Sequence, residues 1–188
     1  MRETSLSEEA TSRYLQAGGL RIHYHEAGWG YPLICIHGGG PGASGWSNYQ
    51  RNIGALSQHF RTILIDLPGY GRSDKKLQLE GGRFAFYAKV VRDFMDALGI
   101  QRAHFIGNSL GGGTALKFAL EFPQRAHRLV LMGPAGGLSP FSPQPPEGMK
   151  VLWSYYDPPG PSLEKLRAFL EVMVYDPSQL TEELVQER

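Results

Sequence analysis

The sequence Gly-Asn-Ser-Leu-Gly at residues 107–111 constrains the fold of this chain more than any other feature. It lies between a strand-like run at residues 103–106 and a segment with helical spacing at residues 111–122. Glycines on both sides of the serine permit a sharp, strained turn between a strand and a helix, where larger side chains would collide with the flanking backbone. The hydroxyl of Ser109 then stands clear at the carboxyl end of the strand, which makes this residue a candidate nucleophile.

Short apolar runs alternate with helical segments along the first two thirds of the chain. Buried strands are predicted at residues 33–36, 62–66, 103–106 and 129–132, preceded by an alternating strand at residues 20–26. Helices are predicted at residues 49–57, 84–98 and 111–122. This alternation is typical of the α/β class and predicts a mostly parallel sheet with helices on both faces.

The character of the chain changes after residue 136. A proline-rich stretch at residues 139–161 is followed by amphipathic segments at residues 162–174 and 178–188. We therefore predict two domains: residues 1–138 as the N-terminal part of the α/β core, and residues 139–188 as a partial helical cap, or lid, over the site. The alternative is that these helices simply cover the sheet.

Composition narrows the partners and the compartment. The net charge of +1 gives no electrostatic reason to expect a nucleic-acid partner or a membrane surface. No apolar run has the length of a membrane span, and the polar N-terminus lacks the apolar core of a signal peptide. The single cysteine, Cys35, excludes an internal disulfide framework. These features predict a cytoplasmic protein.

A second glycine-rich segment, His-Gly-Gly-Gly at residues 37–40, closes an earlier strand. Its backbone can approach a substrate closely, so we expect the N–H of Gly39 or Gly40 to share an oxyanion with the N–H of Leu110. A Walker phosphate loop is excluded because no Lys-Ser or Lys-Thr follows, and a Rossmann fingerprint is excluded by Pro41.

The base and acid that a serine nucleophile requires are missing from this sequence. They should follow the serine in the order acid, then histidine, yet only His127 follows Ser109, at the amino end of a strand. A complete sheet of this type would add two strands carrying both groups after the cap. We therefore expect that the chain is truncated within the cap, that it has little activity alone, and that residues 129–132 form an uncovered, aggregation-prone edge.

Four motifs together resemble one family, the meta-cleavage-product hydrolases: residues 37–42, 46–48, 66–74 and 107–112. Members of that family are α/β-hydrolases that cut a carbon–carbon bond in vinylogous 1,5-diketones made by ring-opening dioxygenases. The resemblance extends from about Thr11 to Arg188. Residues 23–28, 108–115, 172–176 and 183–185 most resemble the actinobacterial steroid-ring hydrolase, which acts on a diseco-androstadiene-oate. The biphenyl-pathway hydrolase is the close second.

The resemblance implies a role for each matching residue. Ser109 would be the nucleophile, and Gly39 or Gly40 would form the oxyanion site with Leu110. Substrate contacts would come from Asn48 and Asn108, which would bind the dienoate oxygens, and from Ser178 and Arg188 in the cap. The guanidinium would meet the substrate carboxylate, for which its planar fork is suited; the alternative for this residue is an ordinary terminal surface charge.

The implied reaction begins with ketonisation of the dienol, followed by attack of water or Ser109 on the ketone at the scissile bond. The family needs neither a metal nor an organic cofactor, and its members associate as homo-oligomers, dimers or tetramers. Two alternatives remain open from the sequence. One is an ester or lactone hydrolase of the same fold, disfavoured by the joint presence of Asn48, Asn108 and Arg188. The other is a non-catalytic fragment.

Overall fold

The computed structural model describes residues 6–136 and 144–188. Its strands are β1 (Ser12–Ala17), β2 (Leu20–Ala27), β3 (Pro32–Ile36), β4 (Arg61–Ile65), β5 (Ala103–Asn108) and β6 (Ala126–Met132). Its helices are α1 (Glu8–Thr11), α2 (Gly45–Leu56), α3 (Arg83–Ala97), α4 (Leu110–Glu121), α5 (Glu147–Ser154), α6 (Leu163–Met173) and α7 (Glu182–Glu187), with a short 3-10 helix at Pro177–Gln179.

The strands form one sheet in the order β1-β2-β4-β3-β5-β6. The pairs β1–β2 and β2–β4 are antiparallel, whereas β4, β3, β5 and β6 run parallel to their neighbours. Parallel neighbours place their carboxyl ends at one edge of the sheet, and the loops that follow β3, β4 and β5 meet there. The predicted mostly parallel sheet is confirmed.

The central strands are buried on both faces, which explains their continuous apolar sequences. On β3, Ile34 and Ile36 belong to the core cluster that contains Phe94 of α3 and Phe118 of α4. The alternate residues Leu33 and Cys35 belong to the cluster on the opposite face, which contains Tyr49 and Ile53 of α2. Burial raises the pKa of the Cys35 thiol to about 12, so this thiol is an inert core residue.

Strand β6 departs from the prediction. Residues 129–132 were expected to be buried on both faces, but β6 is the last strand of the sheet, and Val130 and Met132 are 55% and 42% exposed. The strand is apolar without being covered, so the prediction of burial is wrong. Among the described residues β6 is an edge strand, as predicted, whereas its tendency to aggregate stays a prediction.

The chain divides into two compact units, one of Met1–Gly39 with Ala43–Gly137, the other of Gly40–Gly42 with Leu138–Arg188. The predicted domain boundary between residues 138 and 139 lies outside the described residues. The second unit contains α5, α6 and α7 around a small core of Leu166, Phe169 and Val185. Its function as a cap stays a prediction.

The last predicted amphipathic segment, residues 178–188, contains two separate elements, the end of the 3-10 helix and the helix α7. The helix α7 begins only after Thr181, whose hydroxyl accepts a hydrogen bond from the N–H of Leu184. Across residues 6–136 and 144–188, no helix combines the length and the apolar character needed to cross a bilayer.

Candidate active site

Ser109 is held in a strained conformation at the junction of β5 and α4. Its φ of 49° and ψ of −110° make it the one non-glycine residue with positive φ in the described part of the chain. The Ser109 N–H donates to the carbonyl of Met132 at 2.9 Å, and its own carbonyl accepts from the N–H groups of Gly113 and Ala135 at 3.0 and 2.8 Å. Hydrogen bonds on both sides therefore fix the strain, while the side chain remains exposed.

The glycines around Ser109 are required by close backbone packing. A Cβ on Gly107 would lie 2.5 Å from the carbonyl oxygen of Gly111, and a Cβ on Gly111 would lie 2.1 Å from that of Ile36. Both distances are far inside van der Waals contact, so the backbone of the elbow tolerates no side chain at either position.

Of the residues expected to donate to an oxyanion, Gly39 and Leu110 lie next to each other, whereas Gly40 packs elsewhere. Leu110 opens α4, where helix geometry leaves its N–H without an intrahelical acceptor and the helix dipole favours negative charge. Gly39 packs against it, because a Cβ on Gly39 would lie 3.2 Å from Leu110 Cδ2. Gly40 belongs to the second unit, where a Cβ on it would lie 3.5 Å from Phe169. Which of the two glycine N–H groups shares an oxyanion with Leu110 stays a prediction.

Asn48 and Asn108 meet at the glycine loop. The side-chain oxygen of Asn48 accepts from the N–H of Gly38 at 3.1 Å and from Asn108 Nδ2 at 3.3 Å. The Gly38 N–H is thereby removed from the set of oxyanion donors. The Asn48 oxygen is also occupied, so a substrate oxygen meeting this pair would meet their amide N–H groups.

Asn48 is positioned by the first turn of α2. The side chains of Ser44 and Ser47 each bond the other's backbone N–H, which forms a capping box at the helix start. The N–H of Gly45 donates to Asp66 Oδ1 at 2.7 Å, so a carboxylate also lies at the positive end of this helix.

Asp66 was not selected as a site residue from the sequence, although it opens the motif at residues 66–74. Besides Gly45, it accepts the N–H of Arg72 at 2.9 Å and the His23 imidazole at 2.8 Å. Burial opposes ionisation of this carboxyl, but the hydrogen bonds from His23, Arg72 and Gly45 outweigh burial and lower its pKa. Asp66 therefore connects the start of α2 with β2 and the loop after β4.

His37 supports the glycine loop. Its Nε2 accepts the N–H of Leu67 at 3.0 Å, which leaves Nδ1 to carry the proton and donate to the carbonyl of Gly38 at 2.6 Å. Both nitrogens of this fully buried ring are therefore engaged by backbone groups. His37 holds the loop and is not available as a general base.

The described residues bring no imidazole to Ser109. His127 lies near the start of β6, where its ring stacks on that of His104 with centroids 4.6 Å apart. This is the amino end of the sheet, as predicted from the sequence. In residues 6–136 and 144–188, no hydrogen bond joins the Ser109 hydroxyl to a histidine, and no group of three or more His, Cys, Asp and Glu is arranged to hold a metal.

Ser178 and Arg188 lie in the second unit. The Ser178 hydroxyl donates to Asp176 Oδ1 at 2.6 Å, within the 3-10 helix. The backbone of Arg188 packs closely on Gly42, since a Cβ on Gly42 would lie 2.1 Å from the Arg188 carbonyl oxygen. Burial lowers the pKa of the Arg188 guanidinium. The substrate contacts expected of both side chains stay predictions.

Comparison with known proteins places this geometry in a family. Residues 31–159 match a family described as the alpha/beta hydrolase fold, which is more than half of the chain. The chain belongs to the α/β-hydrolases. The strand order, the elbow and the glycine loop described above are thus features of a known hydrolase architecture.

Individual relatives of this α/β-hydrolase are more specific. A 2-hydroxy-6-oxo-6-phenylhexa-2,4-dienoate hydrolase from Comamonas testosteroni is 47% identical over 98% of the chain. A 2-hydroxy-6-oxononadienedioate/2-hydroxy-6-oxononatrienedioate hydrolase from Paraburkholderia phymatum is 48% identical over 97%. The chain spans 66% and 65% of the length of these two relatives.

The solved structure of a meta-cleavage product hydrolase from Pseudomonas fluorescens IP01 has a TM-score of 0.82 and 37% identity. That match covers 93% of this chain and 61% of the other. The similarity to meta-cleavage product hydrolases inferred from the motifs is therefore confirmed.

Proposed function

We propose that the protein to which this chain belongs hydrolyses a carbon–carbon bond in 2-hydroxy-6-oxohexa-2,4-dienoate-type ring-cleavage products of aromatic or steroid catabolism. The observation that carries the proposal is the contact of Asn48 and Asn108 beside the strained Ser109, where two amides supply N–H groups for the oxygens of a dienoate. The names of the relatives support the same substrate class. No metal or organic cofactor enters the proposed reaction.

In this proposal, the substrate dienol first becomes a ketone, with its oxygens held by Asn48 and Asn108. Water or Ser109 then attacks the carbonyl carbon at the scissile bond, and the N–H groups of Gly39 and Leu110 stabilise the negative oxygen. The bond to the adjacent carbon breaks as the tetrahedral intermediate collapses, and the departing carbon takes a proton. Where Ser109 is the nucleophile, water then cleaves the resulting ester on Ser109 and releases the carboxylic acid.

The proton shuttle for this step is not among the described residues. We propose that an aspartate and a histidine come from a part of the protein that corresponds to the region of the relatives outside the match. Each relative extends well beyond its match to this chain. Serine hydrolases that lose a triad member typically lose several orders of magnitude in rate.

The test is a chimera that joins residues 1–188 to the part of the Comamonas testosteroni relative that lies outside the match. With 2-hydroxy-6-oxo-6-phenylhexa-2,4-dienoate, we expect loss of the visible absorbance of the dienoate at least about 10³-fold faster than with the 188-residue chain alone. The matched control is the same chimera with Ser109→Ala. A folded chimera without turnover, or an equally active Ser109→Ala chimera, would contradict the proposal.

The alternative of an ester or lactone hydrolase is distinguished in the same experiment. A chimera that hydrolyses a phenyl ester but leaves the dienoate intact would replace the carbon–carbon hydrolase by an esterase. The exposed Ser109 and its oxyanion donors serve both reactions, so Asn48 decides between them. Asn48→Ala should slow dienoate turnover and leave ester hydrolysis nearly unchanged.

The preferred substituent of the dienoate is a finer proposal. The motif resemblance to the steroid-ring hydrolase predicts a bulky ring system, whereas the relatives compared above are named for phenylhexadienoate and nonadienedioate substrates. The ratio of kcat/KM for the steroid and phenyl substrates, measured on the chimera, separates the two. We further propose that Arg188 contacts the substrate carboxylate, so Arg188→Leu should raise KM. Sedimentation would show whether the full protein is a homo-oligomer.

A further inference from the structure

Three side chains far apart in sequence form a second hydroxyl, imidazole and carboxylate arrangement, separate from Ser109. His23 on β2 lies between Asp66 and Ser12. Its Nδ1 is 2.8 Å from Asp66 Oδ2, and its Nε2 is 2.9 Å from the Ser12 hydroxyl oxygen. Both distances are those of good hydrogen bonds.

The partners of Asp66 determine where the protons lie. Its Oδ1 accepts the N–H of Gly45, and its Oδ2 accepts the N–H of Arg72. A carboxylate with a backbone donor on each oxygen acts as an acceptor, so His23 Nδ1 carries the proton that it donates to Asp66. Nε2 is then unprotonated and accepts the hydroxyl proton of Ser12. This is the tautomer in which an imidazole removes a proton from a serine.

The cluster protects the base and leaves the hydroxyl within reach. His23 and Asp66 are each 1% exposed, whereas Ser12 is partly exposed at the end of α1. The rings of Tyr14 and His25 each have centroids 4.8 Å from that of His23 and form walls around it. Of the three residues, Ser12 is therefore the most accessible to a small molecule from solvent.

The backbone N–H of Ser12 is not available as an oxyanion donor. Ser12 has an ordinary extended conformation, with φ of −64° and ψ of 132°, and its N–H donates to the carbonyl of Glu9. The Arg13 guanidinium donates to the carbonyl of Ser12 at 2.7 Å and brings a positive charge to its backbone. Because the Ser12 N–H is already bonded to Glu9, it cannot stabilise a developing oxyanion, and hydrolysis of an ester formed on this serine is expected to be slow.

We propose that Ser12 is a second nucleophile, which takes an acyl group from an activated ester and retains it. The Ser12 oxygen forms a bond to the acyl carbon as its proton passes to His23 Nε2. The carbon–oxygen bond to the leaving group then breaks, and the leaving group departs as an oxyanion. The departing oxyanion takes the proton from His23 Nε2, and the serine remains as a stable ester. The cluster is thus an acylation site for small activated acyl donors.

The experiment uses the 188-residue chain with Ser109→Ala, so that the elbow serine cannot react. The probe is p-nitrophenyl acetate, with nitrophenolate release followed by absorbance and the acetylated residue located by fragmentation of the peptide that contains Ser12. We expect one equivalent of nitrophenolate and an acetyl group on Ser12. Ser7 is the control in the same region, because its hydroxyl caps α1 and contacts no imidazole.

Two further variants test the role of the imidazole. Adding Ser12→Ala should abolish the burst, and adding His23→Gln should slow acetylation at least about 10²-fold, which is the usual contribution of a general base. Circular dichroism on each variant shows that the fold is retained. Absence of acetyl on Ser12 in the folded Ser109→Ala chain, or equal labelling of Ser7 and Ser12, would overturn the proposal. So would an unchanged rate in a folded His23→Gln chain.

Discussion

Ser109 and Ser12 each carry one half of a nucleophilic site. Ser109 is exposed on a strained backbone and directly precedes Leu110 at the start of α4, but no imidazole of the described residues bonds to it. Ser12 has an unstrained backbone, and its N–H is already bonded to Glu9. Its hydroxyl bonds an imidazole, which in turn bonds a buried carboxylate.

The difference separates presentation, which is the exposure of the hydroxyl on a suitable backbone, from activation, which is the removal of its proton by a base. Presentation depends on backbone geometry, which a Gly-x-Ser-x-Gly sequence determines locally. Activation depends on side chains that only the tertiary fold brings together, since Ser12, His23 and Asp66 come from β1, β2 and the loop after β4. Apart from the controls, each of the following substitutions is aimed at either the Ser109 elbow or the Ser12 cluster.

The largest expected effect is loss of the elbow by Gly111→Ala. The new Cβ would lie 2.1 Å from the carbonyl oxygen of Ile36, so strand β3 or the start of α4 must move. We expect a loss of about 3 kcal/mol or more in the free energy of unfolding, measured by urea denaturation.

The matched control is Gly54→Ala within α2. Among the described residues, only a side-chain atom of Leu6, at 3.8 Å, lies near a Cβ at this position, so the fold accepts it. Alanine should stabilise the helix by about 0.5–1 kcal/mol. Equal midpoints for the two variants would show that the close approach at Gly111 is unimportant for stability.

The next effect belongs to the Ser12 half, which contains the buried titratable groups. His25 lies against His23 and Trp46, and its Nδ1 bonds the Thr11 hydroxyl. Burial, with a smaller contribution from the charge of His23, lowers the His25 pKa from 6.5 to about 4, despite the opposing influence of Asp66. The unfolded chain therefore binds a proton between pH 6.5 and about 4 that the folded chain does not.

It follows that acidification across this window destabilises the fold, by up to about 3 kcal/mol in the free energy of unfolding. His25→Gln should flatten the pH dependence between 6.5 and 4, whereas His59→Gln, at an exposed position, should not. Below about pH 3.8, both variants should lose stability, because Asp66 of the unfolded chain takes up a proton that the folded chain, with its lowered Asp66 pKa, does not yet bind. A profile unchanged by His25→Gln would place the acid sensitivity elsewhere.

The sequence predicted the elements whose causes are local. Strand β3 was found because Leu33, Ile34, Cys35 and Ile36 are buried on both faces, and the elbow because its glycines are required by backbone contacts within a few residues. Strand β1 was missed because most of its side chains are exposed or half-buried, so its sequence has no apolar alternation to detect.

The rest depends on contacts that the sequence does not record. Gly39 packs against Leu110, which lies 71 residues later in the chain. The burial predicted for β6 fails because no further strand of the described residues covers it. The Ser12 cluster joins residues 11 and 43 positions apart, so no local pattern could reveal it.

The smallest expected effect makes the sharpest comparison of the two serines, because one pair of substitutions is applied to both. At Ser109, alanine keeps the strained positive φ and glycine relieves it, so Ser109→Gly should be more stable than Ser109→Ala by about 1 kcal/mol. At Ser12, where φ is −64°, glycine only adds freedom to the unfolded chain. Ser12→Gly should therefore be less stable than Ser12→Ala by about 0.5–1 kcal/mol.

Taking the difference between glycine and alanine at each position removes the hydroxyl from the measurement. The hydrogen bond from Ser12 to His23 is lost equally in both Ser12 variants, and its cost of about 1–3 kcal/mol for an unpaired imidazole nitrogen cancels. What remains is the backbone alone. The same sign at both positions in urea denaturation would mean that Ser109 carries no strain, and the contrast between presentation and activation would then rest on the oxyanion donors only.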